Sequence, residues 1–197
     1  TSPEKSASYA PDRLWHAPRG LKNACGSGPP PGAHYDADRA LDFLMHQPFV
    51  DPQRVLVVGF SQGGMIALSS IERGPEGRSF ANKFRAAVAF YPICSFIQGP
   101  MTAPALILIG EKDDWTPADD CRRLVKGQDG IGVSRREKGK GPPIRLIVYP
   151  GAYHGFDRPG PPFRYLGHQL AYDASAAEQA SDALRDFLQS VATEPAK

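Results

Sequence analysis

The chain has 197 residues, of which 41% are hydrophobic, and this length and composition fit one globular domain of ordinary size. Its 23 basic and 21 acidic residues give a formal net charge of +2, which excludes the strong positive field typical of nucleic-acid and anionic-lipid binding. No apolar run approaches the roughly 20 residues of a membrane-spanning helix, so we expect neither a nucleic-acid nor a membrane partner.

The first 35 residues are rich in proline and glycine and show no periodic apolar pattern. An irregular segment is therefore predicted over residues 1–35. From Asp36 onward apolar residues recur at helical spacing, which predicts a helix with one face on a core. These residues are Ala37, Ala40, Leu41, Leu44 and Met45. We expect one folded domain over residues 36–192 and a short tail at 193–197.

Four short apolar segments predict strands that are buried on both faces, as in a parallel sheet, because they are apolar without alternation. They are residues 54–60, 84–91, 104–110 and 144–150. Helical patterns at residues 62–72 and 117–126 lie between them, and an apolar stripe within residues 173–191 predicts a closing helix. Strands that alternate with helices indicate an α/β fold with a doubly wound, mostly parallel sheet.

The segment between the third helical pattern and the fourth strand, residues 128–143, is basic and rich in glycine. We interpret it as a solvated loop. The alternative is a site for an anionic substrate or partner.

The three cysteines, Cys25, Cys94 and Cys121, lack the spacing of a metal site, so no metal is expected. They are either three buried thiols or one thiol and a disulfide. Cys94 and Cys121 each lie near the end of a predicted strand, which would allow them to form a bond. A Cys94–Cys121 disulfide would favour an oxidising compartment, periplasmic or extracellular, and its absence would favour the cytoplasm.

Residues 59–64 read GFSQGG, a G-x-S-x-G motif between a predicted strand and a predicted helix. A serine on so sharp a turn holds its hydroxyl above the sheet edge, and we expect Gly59 and Gly63 to remove side chains that would collide there. The helix that follows directs its N-terminus at the site, so the Gln62 backbone N–H is the predicted oxyanion donor. The alternative is a glycine-rich turn with a bystander serine, but this context favours Ser61 as a nucleophile.

A serine hydroxyl needs a neighbouring base, usually a histidine oriented by a carboxylate, to act as a nucleophile near neutral pH. In this type of fold the chain order is serine, acid, histidine. His154 follows the last predicted strand, whereas the other four histidines lie before the serine or well beyond that strand. Asp113 and Asp114 both follow the strand that ends at Gly110. Spacing alone leaves both aspartates open.

Three segments of the chain, in this order, resemble the dienelactone hydrolase family of α/β hydrolases. They are GFSQGG at residues 59–64, LIGEKDDWTP at 108–117 and VYPGAYHGFD at 148–157. Weaker agreement extends the resemblance to roughly residues 19–188. The resemblance implies an α/β-hydrolase catalytic domain with Ser61, Asp113 and His154 as its triad, because the family's acid lies three residues past the glycine that ends its strand.

The chain departs from this family in two ways. Dienelactone hydrolases proper use a cysteine nucleophile, whereas position 61 is serine, which favours ordinary carboxylic esters. The family also has strands before the nucleophile strand, and the loop after one of these strands supplies a second oxyanion N–H. Residues 1–35 resemble neither these strands nor this loop. We therefore expect a sheet that lacks the family's N-terminal strands. Its unpaired edge would favour self-association into a homo-oligomer.

The sequence thus predicts a serine hydrolase that cleaves a small-molecule carboxylic ester through an acyl-serine intermediate, without metal or organic cofactor. Trp115, Tyr153 and Phe156 lie beside the predicted acid and base and are candidates to line the substrate pocket, with a core position as the alternative for each. An acyl-thioesterase or peptidase of the same fold is an alternative enzyme. A catalytically silent binding or assembly domain is the alternative outside enzymes.

Overall fold

The computed structural model describes residues 33–72, 83–97, 100–126 and 141–193. The chain divides into two units, Thr1–Pro31 and Gly32–Lys197, and all described residues belong to the second. The predicted irregular segment lies outside the described residues apart from positions 33–35, which are helical and correct that boundary. Most of the predicted basic loop and of the tail also lies outside them. None of the described helices is long and apolar enough to cross a membrane.

The secondary structure follows the alternating order that the sequence predicts. The helices are α1 (Ala33–Met45), α2 (Gln62–Ser70), α3 (Ala118–Lys126) and α4 (Ala174–Thr193). The strands are β1 (Val57–Phe60), β2 (Ala87–Phe90), β3 (Ala105–Gly110), β4 (Ile144–Tyr149), β5 (Phe163–Tyr165) and β6 (His168–Leu170). Single 3₁₀ turns lie at Pro52–Arg54 and Cys94–Phe96.

The first four strands form one parallel sheet in the order β1-β2-β3-β4, which confirms the predicted fold class. All residues of β2 and β3 are buried, which explains why their sequences are apolar throughout rather than alternating. Because the strands are parallel, their carboxyl ends meet at one edge of the sheet. The segments that follow β1, β3 and β4 therefore converge there.

Helices cover the sheet with small and apolar side chains. Helix α2 packs against β1 and β2, and α4 packs against β3. The buried positions of α4 recur every three, four or seven residues, so they form one stripe along the helix. They are Ala176, Ala180, Ala183, Phe187 and Val191. Strand β1 and helix α2 thus rest on a continuous core.

Strand β1 is at the edge of the sheet in the part of the chain that the structure describes. Val58 and Phe60 on this strand are 46% and 48% exposed, whereas β2 and β3 are buried. No strand occurs between Ala33 and Leu56. The described residues therefore agree with a sheet that begins at β1. Self-association through this edge stays a prediction.

Cys94 and Cys121 form a disulfide, with their Cα atoms 5.1 Å apart. The bond joins the turn after β2 to helix α3. The bond closes the loop between residues 94 and 121, and by the chain-entropy model closing a loop of this length contributes about 3–4 kcal/mol to stability. This outcome decides between the two interpretations of the cysteines, while the compartment stays a prediction.

A small hairpin, β5–β6, follows the histidine loop, and the sequence analysis missed it. The two strands pair antiparallel through Leu166 and Gly167, which both have positive φ, 49° and 89°. This is the backbone of a two-residue hairpin turn. The strands have three residues each and mix polar with apolar side chains, so they are too short to show a clear pattern. A β-bridge between His154 and Leu170 joins the hairpin to the histidine loop.

Candidate active site

Ser61 lies on the turn between β1 and α2 with φ 53° and ψ −118°. A positive φ is uncommon for a residue with a side chain, and such strain is typical of functional positions. The Ser61 N–H donates to the Phe90 carbonyl at 2.9 Å, so the turn is anchored to β2. Gln62, the predicted oxyanion donor, is the first residue of α2. The serine and the start of this helix therefore occupy the edge where the strands end.

Two glycines make this turn possible, but only one of them was expected. A Cβ on Gly59 would lie 2.0 Å from the Gly63 carbonyl oxygen, so position 59 requires glycine. A Cβ on Gly63 would meet nothing within 4 Å, which corrects the prediction for that residue. A Cβ on Gly64 would lie 3.0 Å from the Phe90 carbonyl oxygen. The second close approach is thus one residue later than predicted, where α2 packs on β2.

His154 lies on the loop after β4 and is 3% exposed. The flanking glycines Gly151 and Gly155 have φ values of 74° and 69°, so this loop path needs residues without a side chain. The imidazole Nε2 is 3.0 Å from Ser61 Oγ, and Nδ1 is 2.8 Å from Asp113 Oδ2. A carboxylate only accepts hydrogen bonds, so Nδ1 carries the proton and Nε2 can accept the serine proton.

The buried Asp113 carboxylate accepts hydrogen bonds from four surrounding donors. Its Oδ1 accepts the backbone N–H groups of Trp115 at 3.0 Å and Thr116 at 2.8 Å. Its Oδ2 accepts the Thr116 hydroxyl at 2.9 Å in addition to the His154 ring. A buried carboxylate is stable only when hydrogen bonds replace its lost hydration, and four donors do so here.

Asp114 takes a different position, which distinguishes the two aspartates. Its Oδ1 accepts the Gln169 N–H at 3.2 Å and lies 3.6 Å from the Nδ1 of His168. Its side chain is 48% exposed and contacts the hairpin instead of His154. The structure thus brings Asp113, and not Asp114, to the histidine.

Thr116 is a site neighbour that the sequence analysis missed. Its hydroxyl oxygen is 2.9 Å from Asp113 Oδ2, 3.1 Å from the Tyr91 carbonyl oxygen and 3.3 Å from His154 Nδ1. The residue is 2% exposed, so water does not compete for these contacts. A hydroxyl has one proton, which Asp113 and Tyr91 therefore share. The Asp-x-x-Thr spacing after a buried strand could have indicated this contact.

Tyr91 was also missed, although it directly follows β2. Its φ is 39°, and its ring lies edge-on to the His154 ring at 4.6 Å. Its hydroxyl donates to Asp157 Oδ1 at 2.8 Å. Burial, and then the negative charge of Asp157, raise the pKa of Tyr91 well above its usual value. Tyr91 therefore stays protonated and packs the imidazole from the core side.

The three predicted pocket residues have different surroundings. The Trp115 ring is half-buried and 5.1 Å from the His154 ring. The Tyr153 ring lies 5.7 Å from the Lys112 ammonium group. Phe156 has no exposed surface, so it packs in the core and does not line an open pocket. Of the three, only Trp115 has a ring contact with the histidine among the described side chains. The described residues also contain no cluster of His, Cys, Asp or Glu that could hold a metal ion.

A parallel sheet with a serine, a histidine and an aspartate converging where its strands end is the arrangement of the α/β-hydrolase fold, and solved structures agree. Esterase 2 of Thermogutta terrifontis is 19% identical, with a TM-score of 0.60 over 84% of this chain and 66% of that chain. Esterase PE8 is 22% identical, with a TM-score of 0.50 over 78% of this chain and 60% of that chain. At these sequence identities, the structural similarity supports a shared fold and nothing finer.

The family model of the dienelactone hydrolase family matches residues 31–192, so the chain belongs to this family. Among curated proteins, acylamino-acid-releasing enzyme 1 of Oryza sativa subsp. japonica is 24% identical over 163 aligned positions. The match covers 63% of this chain and 20% of the rice protein. The chain thus spans a fifth of that relative and less than two thirds of esterase PE8.

Proposed function

We propose that this chain carries the catalytic site of a serine esterase, with Ser61 as nucleophile, His154 as general base and acid, and Asp113 as the residue that orients the imidazole. The observation that carries the proposal is the continuous contact from Ser61 Oγ to His154 Nε2 at 3.0 Å and from Nδ1 to Asp113 Oδ2 at 2.8 Å. Both distances are within hydrogen-bond range before any substrate is present.

In the acylation step, Ser61 Oγ attacks the carbonyl carbon of the ester while its proton passes to His154 Nε2. The Asp113 carboxylate stabilises the resulting imidazolium through Nδ1. The backbone N–H of Gln62, at the N-terminus of α2, is the group proposed to donate to the developing oxyanion. The tetrahedral intermediate then breaks its bond to the alcohol oxygen, which takes the proton from Nε2 and leaves as an alcohol.

In the deacylation step, water attacks the acyl-serine carbonyl and gives one proton to His154 Nε2. The second tetrahedral intermediate breaks its bond to Ser61 Oγ, which takes that proton back, and a carboxylic acid leaves. The ester and one water have then become an acid and an alcohol, and the enzyme is regenerated. No metal and no organic cofactor takes part in this sequence. A second oxyanion N–H, which the family resemblance implies, would come from outside the described residues.

Short-chain carboxylic esters are the proposed substrates. A serine hydroxyl at position 61 suits ordinary esters, and the structural likeness to esterases supports the same chemistry. Esterase 2 of T. terrifontis is known with propionate and with butyrate bound. We therefore expect acetyl, propionyl and butyryl esters to be better substrates than long-chain ones.

The test is hydrolysis of p-nitrophenyl acetate by the wild-type chain and the Ser61→Ala variant. Loss of the nucleophile lowers kcat by at least about 10³-fold in triads of this type. Ser70→Ala is the matched control, because Ser70 ends α2 and its hydroxyl only donates to the Ile66 carbonyl. Equal rates for wild type and Ser61→Ala would contradict the proposal.

A fluorophosphonate probe separates an active serine from a silent domain of the same fold. T. terrifontis esterase 2 is known phosphorylated by paraoxon, which supports the choice of reagent. We expect stoichiometric labelling at Ser61, detected by peptide mass spectrometry, in the wild type. A folded wild-type protein with an unlabelled Ser61 would instead support a binding or assembly domain.

Amide cleavage is the second candidate, because the curated relative is an acylamino-acid-releasing enzyme. The same three side chains can cleave an amide if His154 protonates the leaving nitrogen. Comparing acetyl-alanine methyl ester with acetyl-alanine p-nitroanilide distinguishes the two activities. Turnover of the anilide at a rate comparable to the ester would favour the peptidase function.

A further inference from the structure

Three partly exposed rings form a cluster that contacts the proposed base through Trp115. The Trp115 ring is 5.1 Å from the His154 ring, stacks on His168 at 5.0 Å with a 9° interplanar angle, and is 5.9 Å from Tyr165. Tyr165 is 37% exposed, and the side chain of His168 is 33% exposed. We call Trp115, Tyr165 and His168 the aromatic wall.

The aromatic wall differs from the other ring that contacts the imidazole. Tyr91 also contacts His154, but it is 3% exposed and hydrogen-bonded to Asp157. A substrate therefore cannot reach the Tyr91 ring without displacing core packing. The aromatic wall is the neighbour of the imidazole that still has surface to offer a ligand.

Hydrogen bonds join the aromatic wall to the segments that carry the proposed triad. The Trp115 backbone N–H donates to Asp113 Oδ1 at 3.0 Å. The hairpin that carries the other two rings is fixed by the Gln169 N–H, which donates to Asp114 at 3.2 Å, and by the bridge between His154 and Leu170. The three rings thus have a fixed position relative to His154 Nε2, as a specificity site requires.

The chemistry of the reaction decides which part of the substrate meets this wall. His154 Nε2 gives its proton to the alcohol oxygen, so that oxygen lies within hydrogen-bond distance of Nε2. The group attached to the alcohol oxygen therefore lies beside the side chains that flank the imidazole. We infer that the aromatic wall is the leaving-group site of the enzyme and that it selects esters whose alcohol carries a planar aromatic ring. This inference rests on the proposed esterase function.

Aromatic rings prefer each other in offset-stacked and edge-to-face arrangements, beyond the effect of buried area. Such pairing corresponds to roughly a 3- to 10-fold gain in kcat/KM for an aromatic group over a saturated one of the same size. A saturated ring is thicker and has no π face, so it gains only the hydrophobic contact. The ratio of kcat/KM for the esters of two such alcohols therefore measures the contribution of the aromatic wall.

The experiment compares benzyl acetate with cyclohexylmethyl acetate, two esters with the same acyl group and alcohols of similar size. Each kcat/KM is divided by the rate constant of hydroxide-catalysed hydrolysis, which removes the difference in intrinsic reactivity. We expect the wild-type chain to prefer benzyl acetate by roughly 3- to 10-fold in kcat/KM. The preference should fall close to one in Trp115→Ala and stay in Trp115→Phe. On the acyl side, the ratio of methyl phenylacetate to methyl cyclohexylacetate should be the same in all three proteins.

Phe163→Ala is the matched control, because Phe163 is a 48% exposed aromatic residue on the same hairpin without a ring contact to the wall among the described residues. It should keep the benzyl preference. If Trp115→Ala does not fold, Tyr165→Ala measures the same ratio from an exposed position and should lower it.

Three outcomes overturn the inference while Ser61-dependent hydrolysis is intact. The first is a wild-type ratio near one, and the second is a ratio that neither Trp115→Ala nor Tyr165→Ala lowers. The third is a change confined to the acyl-side ratio, which would assign the aromatic wall to the acyl group. Hydrolysis that is independent of Ser61 is a separate result, which defeats the proposed function itself.

Discussion

The Thr116→Val substitution tests the proposed site at its least accessible hydrogen bond. Valine has the shape of threonine and removes only the hydroxyl, which is 2.9 Å from Asp113 Oδ2 and 3.1 Å from the Tyr91 carbonyl oxygen. A hydrogen bond to a charged group contributes about 1.5–3 kcal/mol, and Asp113 keeps three of its four donors. Because the lost proton is shared with Tyr91, we expect the lower end of that range.

The loss should appear in kcat. A carboxylate that is held by one donor fewer orients the imidazole less well, and we expect kcat to fall by roughly 10-fold.

The assay is p-nitrophenyl acetate hydrolysis by wild type, Thr116→Val and Thr116→Ser. Serine restores the hydroxyl without the methyl group, so it should recover most of the rate. Circular dichroism shows whether the valine variant is folded. A folded Thr116→Val enzyme with unchanged kcat would refute the role assigned to this hydroxyl.

Three further predictions follow from the described contacts. Asp113→Asn should lower kcat by about 10⁴-fold because the histidine loses its orienting acceptor, whereas Asp114→Asn should lower it far less; similar losses would refute the assignment. Gly64→Ala should destabilise the fold in urea titration and Gly63→Ala should not, because only position 64 approaches a β2 carbonyl oxygen; the reverse order would be contradictory. Burial raises the pKa of Tyr149 from 10.0 to about 12, so the folded state resists ionisation of this phenol. The free energy of unfolding, measured by denaturation at each pH, should therefore decline between about pH 10 and 12 in the wild type and decline less in Tyr149→Phe.

The parts of the site that a motif marks could be predicted from the sequence. Ser61 follows from its place between a strand and a helix, and His154 from its place after the last strand of the sheet. Spacing alone left Asp113 and Asp114 equivalent, and the choice of Asp113 came from the family resemblance. The structure places the Asp113 carboxylate, and not that of Asp114, against the imidazole. Whether each of the three is catalytic is for the experiments above.

Apart from the local contact between Asp113 and Thr116, the rest of the site depends on tertiary contacts that no local pattern encodes. Thr116 and Tyr91 act on the imidazole from segments 25 residues apart in the chain, joined by one hydrogen bond. Phe156 is two residues from His154, yet its ring points into the core, since neighbours on a loop have no fixed period. The hairpin escaped prediction because Leu166 and Gly167 form its turn between strands of three residues each.

The disulfide has a practical consequence for anyone who prepares this protein. It joins the turn after β2, just beyond Tyr91, to helix α3, which begins just after the Asp113 turn. Expression in a reducing host would leave the two cysteines as thiols and the two segments joined by non-covalent contacts alone. Rates from different preparations are therefore comparable only after free thiols have been counted. Adding dithiothreitol to an assay buffer also perturbs the segments that surround Asp113.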